Sequence, residues 1–222
     1  EDWVTIWDKG SGIDTIQFSE DTFDWGGDFL IFNPTSNAVI DLRAATIDYT
    51  NPNYIADVNS GGYRTYVEGV DGGYTIAHGV EIENATGGSG DDTITGNELN
   101  NKLTGGAGVD TLTGGAGNDQ FIFNDRNEEI DTITDFSLGS NKLVFSADEF
   151  TGFELGEGTV RLLIDSSPIT NQSYFLFDTT TSTLSFDIDG HETDIFAINN
   201  DPVDIAILTG VQDLSINDFI MV

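Results

Sequence analysis

The fold is decided by the stretch GGSGDDTITGNELNNKLTGGAGVDTLTGGAGNDQFI at residues 87–122. It divides into four nonapeptides with no residue gained or lost between them: GGSGDDTIT, GNELNNKLT, GGAGVDTLT and GGAGNDQFI. Each unit has an acid or amide at its sixth position and an apolar residue at its eighth. Three of the units have glycine at their first, second and fourth positions, whereas the second unit keeps only the first glycine. Four units in phase predict a repeat architecture.

The spacing within a unit predicts a turn of six residues followed by a strand of three. Glycine has no Cβ and accepts positive φ, so such a turn can fold tightly and aim its carbonyl oxygens at one point. Side chains alternate across a strand, so the residues at the eighth positions should face inward. They are Ile94, Leu103, Leu112 and Phe121. Two units then form one coil, and the turns of alternate units stack on the same edge.

Stacked turns of this kind predict a cation site between them. Strands about 4.8 Å apart bring Asp92 near Asp110 on one edge. On the other edge, Asn101 comes near Asp119. Calcium takes roughly 6–8 oxygen ligands from carboxylates and carbonyls, whereas magnesium needs near-octahedral geometry and gives up water reluctantly. The array therefore predicts several calcium ions, each shared between neighbouring turns. The alternative is a glycine-rich array of turns that is acidic without binding calcium.

The net charge excludes whole classes of partner. Asp and Glu number 39 against 7 Lys and Arg, which gives a formal charge of −32. A phosphate backbone or an anionic membrane surface would repel such a chain, so we expect neither nucleic-acid binding nor membrane insertion. Repulsion among the acids opposes compaction until cations neutralise them. We therefore expect a chain that stays open without calcium and folds with it.

Three absences narrow the setting in which the chain works. The sequence has no cysteine, so disulfides and zinc–thiolate sites are excluded. No secretory signal peptide begins it, and no apolar run is long enough to span a membrane. We expect a leaderless protein that passes from cytosol to exterior in one step and meets millimolar calcium there. Strand-like sequence begins at once, so we also expect a fragment of a longer polypeptide with an upstream domain.

Composition predicts an all-β protein, because 26 glycines accompany only 4 prolines and many short alternating runs. We expect a parallel β-roll flanked by β-sandwich-like segments. The segments are an N-terminal β segment (1–86), the roll with its closing strand (87–136) and a C-terminal β cap (137–222). Flanking strands are expected at 4–7, 15–19, 29–32, 38–42, 159–164, 174–178, 183–187, 194–198 and 205–208. The stretch SYFLFDTTTSTLSFDIDG (173–190) predicts a hairpin, and 214–219 a last helical turn or strand.

Acids on both sides of the array extend the predicted edges. Counting back nine places from Gly87 puts Glu83 at the sixth position of a degenerate unit, where it should share an edge with Asn101. Beyond the array, Asp131 should complete an end site next to Asp110. Asp135 should instead accept hydrogen bonds from backbone amides at the exit turn. The alternative for Asp131 and Asp135 is that both are solvated.

The strings TIWDKGSGIDTIQFS (5–19) and TIAHGVEIENATGGSGDD (75–92) resemble the C-terminal domain of serralysin-type secreted metalloproteases. The nonapeptides likewise resemble the calcium-binding (hemolysin-type) repeat of RTX proteins. The resemblance covers about 3–150 and is closest over 75–122. It implies a calcium-loaded parallel β-roll from a protein that leaves Gram-negative bacteria through type I exporters.

The same resemblance implies further calcium ligands outside the array. They are Asp8, Gly10, Gly12, Asp14, Glu81 and Glu83. The loop at 8–14 has one residue more between its aspartates than the family pattern, and a solvated hairpin turn is the alternative there. Within and after the array, the predicted calcium ligands are Gly87, Gly88, Gly90, Asp92, Asn101, Gly105, Gly106, Gly108, Asp110, Gly114, Gly115, Gly117, Asp119 and Asp131.

No catalytic motif is present in the chain. A serralysin protease needs HExxHxxGxxH around zinc, but the only histidines are His78 and His191. A GxSxG elbow is also absent. The DxDG at 187–190 lacks the glutamate of an EF-hand loop at the twelfth position and reads as a turn. We therefore expect no catalysis by this chain; a zinc metalloprotease domain would lie upstream.

The predicted function is a non-catalytic calcium-binding module that folds on external calcium and stabilises or displays an upstream domain. The ending DFIMV (218–222) resembles type I secretion signals, which makes the export machinery an expected partner, although an ordinary β-edge ends in the same way. An alternative is an adhesin or carbohydrate-binding module that uses the aromatic stretch 47–77. A third idea is ice binding through outward threonines, namely Thr93, Thr95, Thr104, Thr111 and Thr113.

Overall fold

The computed structural model describes most of the central part of the chain and pieces of both flanks. The described residues are 3–6, 13–19, 22–25, 28–30, 36–44, 65–67, 73–126, 129–137, 140–150, 162–164, 174–187 and 202–222. Their regular structure is β throughout except for one 3₁₀ turn, Ile216–Asp218. No helix among these residues has the length and apolarity needed to cross a membrane.

Nineteen strands lie in the described residues. In chain order they are β1 (Trp3–Ile6), β2 (Thr15–Ser19), β3 (Thr22–Trp25), β4 (Asp28–Leu30), β5 (Ala38–Asp41), β6 (Tyr66–Val67), β7 (Gly73–Ile76), β8 (Asn84–Thr86), β9 (Thr93–Thr95), β10 (Lys102–Thr104), β11 (Thr111–Thr113), β12 (Gln120–Phe123), β13 (Asp131–Ile133), β14 (Lys142–Phe145), β15 (Leu162–Ile164), β16 (Tyr174–Asp178), β17 (Thr183–Asp187), β18 (Val203–Leu208) and β19 (Phe219–Met221).

Two long sheets contain most of these strands. One has eight strands in the order β19-β14-β12-β10-β8-β2-β3-β4, and the other has nine in the order β15-β16-β17-β18-β13-β11-β9-β5-β6. From β8 to β14 the chain alternates between the two sheets, strand by strand. β1 and β7 form a separate parallel pair. The chain therefore winds as a coil whose two faces are the two sheets, which confirms the predicted β-roll.

The register confirms that two nonapeptides complete one coil. Thr111 in β11 pairs with Thr93 in β9, and Lys102 in β10 pairs with both Asn84 and Gln120, all in parallel. Beyond the array the coils lengthen, because β11 pairs next with β13 and β12 with β14 through longer connections.

The core is a column of apolar side chains between the sheets. The four residues predicted to face inward are all fully buried, namely Ile94, Leu103, Leu112 and Phe121. Burying a side chain of this size contributes roughly 1.5–3 kcal/mol. Thr93 is exposed, as predicted, but Thr104 is only 9% exposed. The prediction that Thr104 faces outward is therefore wrong.

The C-terminal strands continue the sheets of the roll. β16 and β17 form the predicted antiparallel hairpin, and β18 pairs with β17 on one side and with β13 on the other. β19 pairs in parallel with β14. A cluster of aromatic rings closes this end of the core, with ring centroids 4.6 Å apart for Phe145 and Phe175 and 4.8 Å for Phe145 and Phe150.

The N-terminal strands extend the roll in the opposite direction. β2 pairs in parallel with β8, and β5 with β9. Several predictions fall outside the described residues: the loop residues Asp8, Gly10 and Gly12, the aromatic stretch over 47–64, and the strand at 194–198. The predicted domain boundaries stay predictions, since the two sheets contain strands from all three segments.

Candidate metal centre at the edges of the roll

The turns of the coil stack on two edges. We name the first the acidic edge; it contains the turns 87–92 and 105–110 and the residues 129–131 that lead into β13. We name the second the mixed edge; it contains 81–83, the turns 96–101 and 114–119, and residues 135–137 and 140–141. The names reflect the sixth position, which is aspartate at each step of the first edge and alternates between acid and amide along the second.

The acidic edge is a ladder of three buried aspartates, Asp92, Asp110 and Asp131, each no more than 2% exposed. Asp110 Oδ1 accepts a hydrogen bond from Asp92 N (2.7 Å), and Asp131 Oδ1 accepts one from Asp110 N (3.0 Å). Asp92 Oδ1 accepts from Ala38 N (2.6 Å), which ties the ladder to β5. Each carboxylate therefore reaches back to the backbone of the preceding coil.

The second oxygen of Asp110 has no such partner. Asp110 Oδ2 is buried and accepts no hydrogen bond. A Cβ added to Gly105 would collide with this oxygen, and a Cβ on Gly106 would collide with the carbonyl oxygen of Gly88. Gly106 also has φ +110°, a conformation that side chains rarely adopt. The glycines of the motif are therefore required because carboxylate and carbonyl oxygens crowd the turn.

Burial makes the charge on this ladder costly. It raises the pKa of Asp110 to about 7, the hydrogen bond from Asp92 N opposes the rise, and the charges of Asp92, Asp91 and Glu129 add to it. Burial also raises the pKa of Asp92. Buried carboxylates normally have a cationic partner or a metal. The bonds found here are to neutral backbone groups, so a bound cation would supply the missing charge.

One step of the mixed edge repeats this geometry. Asp119 is fully buried, its Oδ1 accepts from Asn101 N (2.9 Å), and its Oδ2 has no hydrogen-bond partner. A Cβ on Gly114 would collide with that oxygen. Burial raises the pKa of Asp119 to about 6. The next residue along this edge is Asn141, whose Oδ1 accepts from Asp119 N (2.8 Å).

Glu83 has a different environment. Its Oε2 accepts from Asp14 N (2.8 Å), so the structure brings together two acids that the resemblance implied as calcium ligands. Glu83 is adjacent to Asn101 in register, because Lys102 N donates to Glu83 O (3.1 Å). Glu81 is exposed and lines a cavity of about 550 Å³ beside His78 and Arg43. Turn residues of the mixed edge, among them Gly96, Asn97 and Gly115, line the same cavity, and no hydrogen bond joins Glu81 to them in the described residues.

A calcium ion at these edges would need backbone ligands. Among the described residues, no group of three or more His, Cys, Asp or Glu side chains is placed to hold a metal ion. Calcium takes backbone carbonyl oxygens as well as carboxylate oxygens, so two aspartates together with turn carbonyls can form its ligand shell. Asp110 Oδ2 and Asp119 Oδ2 are the carboxylate oxygens left over for this purpose, and they fit a hard cation.

Two further observations concern residues beside the predicted ligands. Asp135 accepts from Gly114 N (2.9 Å) and Gly115 N (2.8 Å), which confirms its predicted role at the exit turn. Sequence reasoning missed Asn141 and Asn97. Asn141 follows Asp119 by twenty-two residues rather than eighteen, so the nonapeptide count does not reach it. Asn97 replaces a motif glycine, and that substitution was a usable signal.

A two-sheet parallel roll with glycine-rich, oxygen-lined turns at its edges defines a β-roll of the RTX type. The family model described as Peptidase M10 serralysin C terminal matches residues 38–221. The chain therefore belongs to the serralysin C-terminal family, as the resemblance predicted. Domains of this family form the C-terminal, non-catalytic part of M10 peptidases, and the serralysin-like proteins are secreted. A search of curated proteins finds no match.

Proposed function

We propose that this chain is a non-catalytic, calcium-binding β-roll module of a type I-secreted extracellular protein. It folds on external calcium and stabilises or displays an upstream domain, for which a serralysin-like metalloprotease is the leading candidate. One observation carries the proposal. Asp110 Oδ2 and Asp119 Oδ2 are buried, have no hydrogen-bond partner, and lie against Gly105 and Gly114, where an added Cβ would collide with them.

Charge explains why calcium would act on folding as well as on binding. The chain has a net charge of −32, and it buries at least four aspartates of the edges in folding. Without a cation these groups repel one another and lose their hydration, so the closed roll is disfavoured. With calcium at about 100 times its dissociation constant, each site adds roughly 2.7 kcal/mol to the folded state. Several sites together then decide whether the roll is closed.

Export fits the same scheme. Serralysin C-terminal domains bind calcium and belong to secreted proteins. In the folded chain, Phe219 is buried and β19 is paired with β14. A type I exporter that reads this end of the chain must therefore act before the roll closes. Low cytosolic calcium would keep the chain open until it has left the cell.

A calcium titration of the full chain tests the proposal. We expect saturable binding of several calcium ions by isothermal titration calorimetry, with magnesium at the same concentration as the matched control. Magnesium should bind far more weakly, because turn carbonyls do not form its small octahedral shell. Absence of calcium binding, or equal binding of both ions, would overturn the proposal.

A further inference from the structure

The second repeat unit differs from the others in its turn, 96–101. Asn97 stands where the other units have glycine. Its Nδ2 donates to Ile82 O (2.7 Å) and to Leu42 O (3.2 Å), while its Oδ1 accepts from Leu99 N (2.8 Å). The amide thus bridges the turn to two backbone segments of the preceding coil.

Asn101 stands where the other units have aspartate, and its amide is also fully used. Its Nδ2 donates to Glu83 O (2.8 Å) and to Asn97 Oδ1 (3.2 Å). Its Oδ1 accepts from Asn97 N (2.9 Å). The partners fix the orientation of both amides, because carbonyl oxygens can pair only with an NH₂ group.

This step of the mixed edge is the opposite of the step at Asp110. Asp110 leaves a buried, ionisable oxygen without a donor, whereas every side-chain polar atom of Asn97 and Asn101 has a partner. Two carbonyl oxygens that face this turn, those of Ile82 and Glu83, already accept amide hydrogens. A cation would have to displace these bonds and would meet NH₂ groups that carry partial positive charge.

We propose that the amides of Asn97 and Asn101 replace calcium at the step between 81–83 and 96–101, so that this step of the roll forms without a metal ion. The inference rests on the proposed function, since it presumes calcium at the neighbouring steps. Asn101 then leaves the predicted set of calcium ligands. The carboxylate of Glu83 instead accepts a hydrogen bond from Asp14 N.

The step that Asn97 and Asn101 join affects the order in which the coils of the roll assemble. It joins β8 to β10 and, through Leu42 O, reaches the segment that follows β5. Neutral amide bonds of this kind carry no charge penalty, so this part of the roll is the part best able to close before calcium arrives. The coil that contains it would then offer a template on which the calcium-dependent turns stack.

The test is a count of bound calcium ions by native mass spectrometry of the full chain in calcium. The double variant Asn97→Gly, Asn101→Asp restores the glycine and the acid of the repeat at this step, and it should bind one ion more than the wild type. Asn217→Asp is the matched control, because it makes the same amide-to-acid change at an exposed position in the 3₁₀ turn Ile216–Asp218, outside the stacked turns of the roll. Its count should equal that of the wild type.

The difference between variant and wild type decides the inference, whatever the wild-type count is. A wild-type count of zero would end the proposed function, but it leaves the difference measurable. Equal counts in a folded double variant would overturn the inference. If the variant fails to fold, anomalous scattering from calcium-grown crystals of the wild type is the second measurement. We expect a peak beside Asp110 and none between Glu83 O and Asn101; a peak there would overturn the inference.

Discussion

The two edges of the roll are built from the same repeat, yet they solve the problem of buried polar groups differently. On the acidic edge, aspartates fill each step, and the cost of their charge is left for a cation to offset. On the mixed edge, acids alternate with asparagines, and amide groups satisfy carbonyl oxygens directly. The comparison therefore indicates that folding of the acidic edge depends on a bound cation more than folding of the mixed edge does.

The mixed edge itself contains both kinds of step, one with a buried unpaired carboxylate oxygen and one with fully paired amides. Asp119 has the same free, buried oxygen as Asp110, so its step belongs with the acidic edge in its chemistry. Asn101, one coil earlier, has no buried side-chain oxygen without a hydrogen-bond partner. The contrast between Asp110 and Asn101 is therefore the sharpest form of the comparison, and four predictions probe it.

The largest expected effect is that of pH on the calcium-free chain. The pKa of Asp110 is about 7 in the folded protein against an ordinary value of 3.8, so the folded state binds more protons and is favoured at low pH. Stability is then full below about 3.8 and is lost as the pH rises towards 7, by on the order of 4 kcal/mol from Asp110 alone. Circular dichroism in EDTA should show β structure increasing on acidification through this window. A signal that does not change with pH would contradict the charge argument.

The next effect is that of Asp110→Asn, which keeps the acceptor for Asp92 N and removes the charge. In saturating calcium the variant should lose about 3 kcal/mol of stability through loss of one shared site. In EDTA the variant should instead be more stable than the wild type, so its acid-induced folding should persist to higher pH. Urea melts in calcium and in EDTA measure the two changes in stability, with the exposed Asp148→Asn as control. The same loss with and without calcium would show that Asp110 has only a packing role.

A smaller effect is expected on calcium affinity when a glycine of the stacked turns is replaced, in contrast to a glycine outside them. Gly105→Ala places a Cβ against Asp110 Oδ2 and should weaken calcium binding about tenfold, which corresponds to about 1.4 kcal/mol. Gly79→Ala meets no atom within 4 Å and is strained only by its φ of +78°. It should lower thermal stability by about 1 kcal/mol and leave calcium affinity unchanged. Calcium titrations of both variants make the distinction; equal affinities would remove the glycine argument.

The smallest effect is that of Asp135→Asn on the mixed edge. Asp135 bonds two backbone amides and has no need of a metal, so loss of its charge should cost about 1 kcal/mol. The cost should be the same in calcium as in EDTA at a pH where both forms fold, as urea melts can show. A cost seen in calcium alone would make Asp135 a ligand and would blur the comparison.

Much of the roll could be predicted because its information is local. The period of nine residues sets the coil, and the eighth positions are the buried core from Ile94 to Phe121. The hairpin of β16 and β17 is equally local, with two alternating runs around a short turn. Asp135 was predictable from its place at the end of the repeat pattern.

The rest depends on contacts between residues far apart in the chain. The pairing of Thr15 with Asn84 and of Asp131 with Ala206 joins segments about seventy residues apart, and no period connects them. Asn97 shows the same limit within the site. The pattern shows that a glycine has been replaced, but the use of its amide depends on Leu42 O, fifty-five residues away. Non-local acceptors of this kind cannot be read from spacing.

The most direct measurement of the central claim is far-UV circular dichroism of the full chain at neutral pH, first in EDTA and then with millimolar calcium. The account predicts a largely open chain in EDTA, a gain of β structure on adding calcium, and no comparable gain with magnesium. The same β content in EDTA as in calcium would contradict it, since the buried carboxylates of Asp110 and Asp119 would then close without an ion.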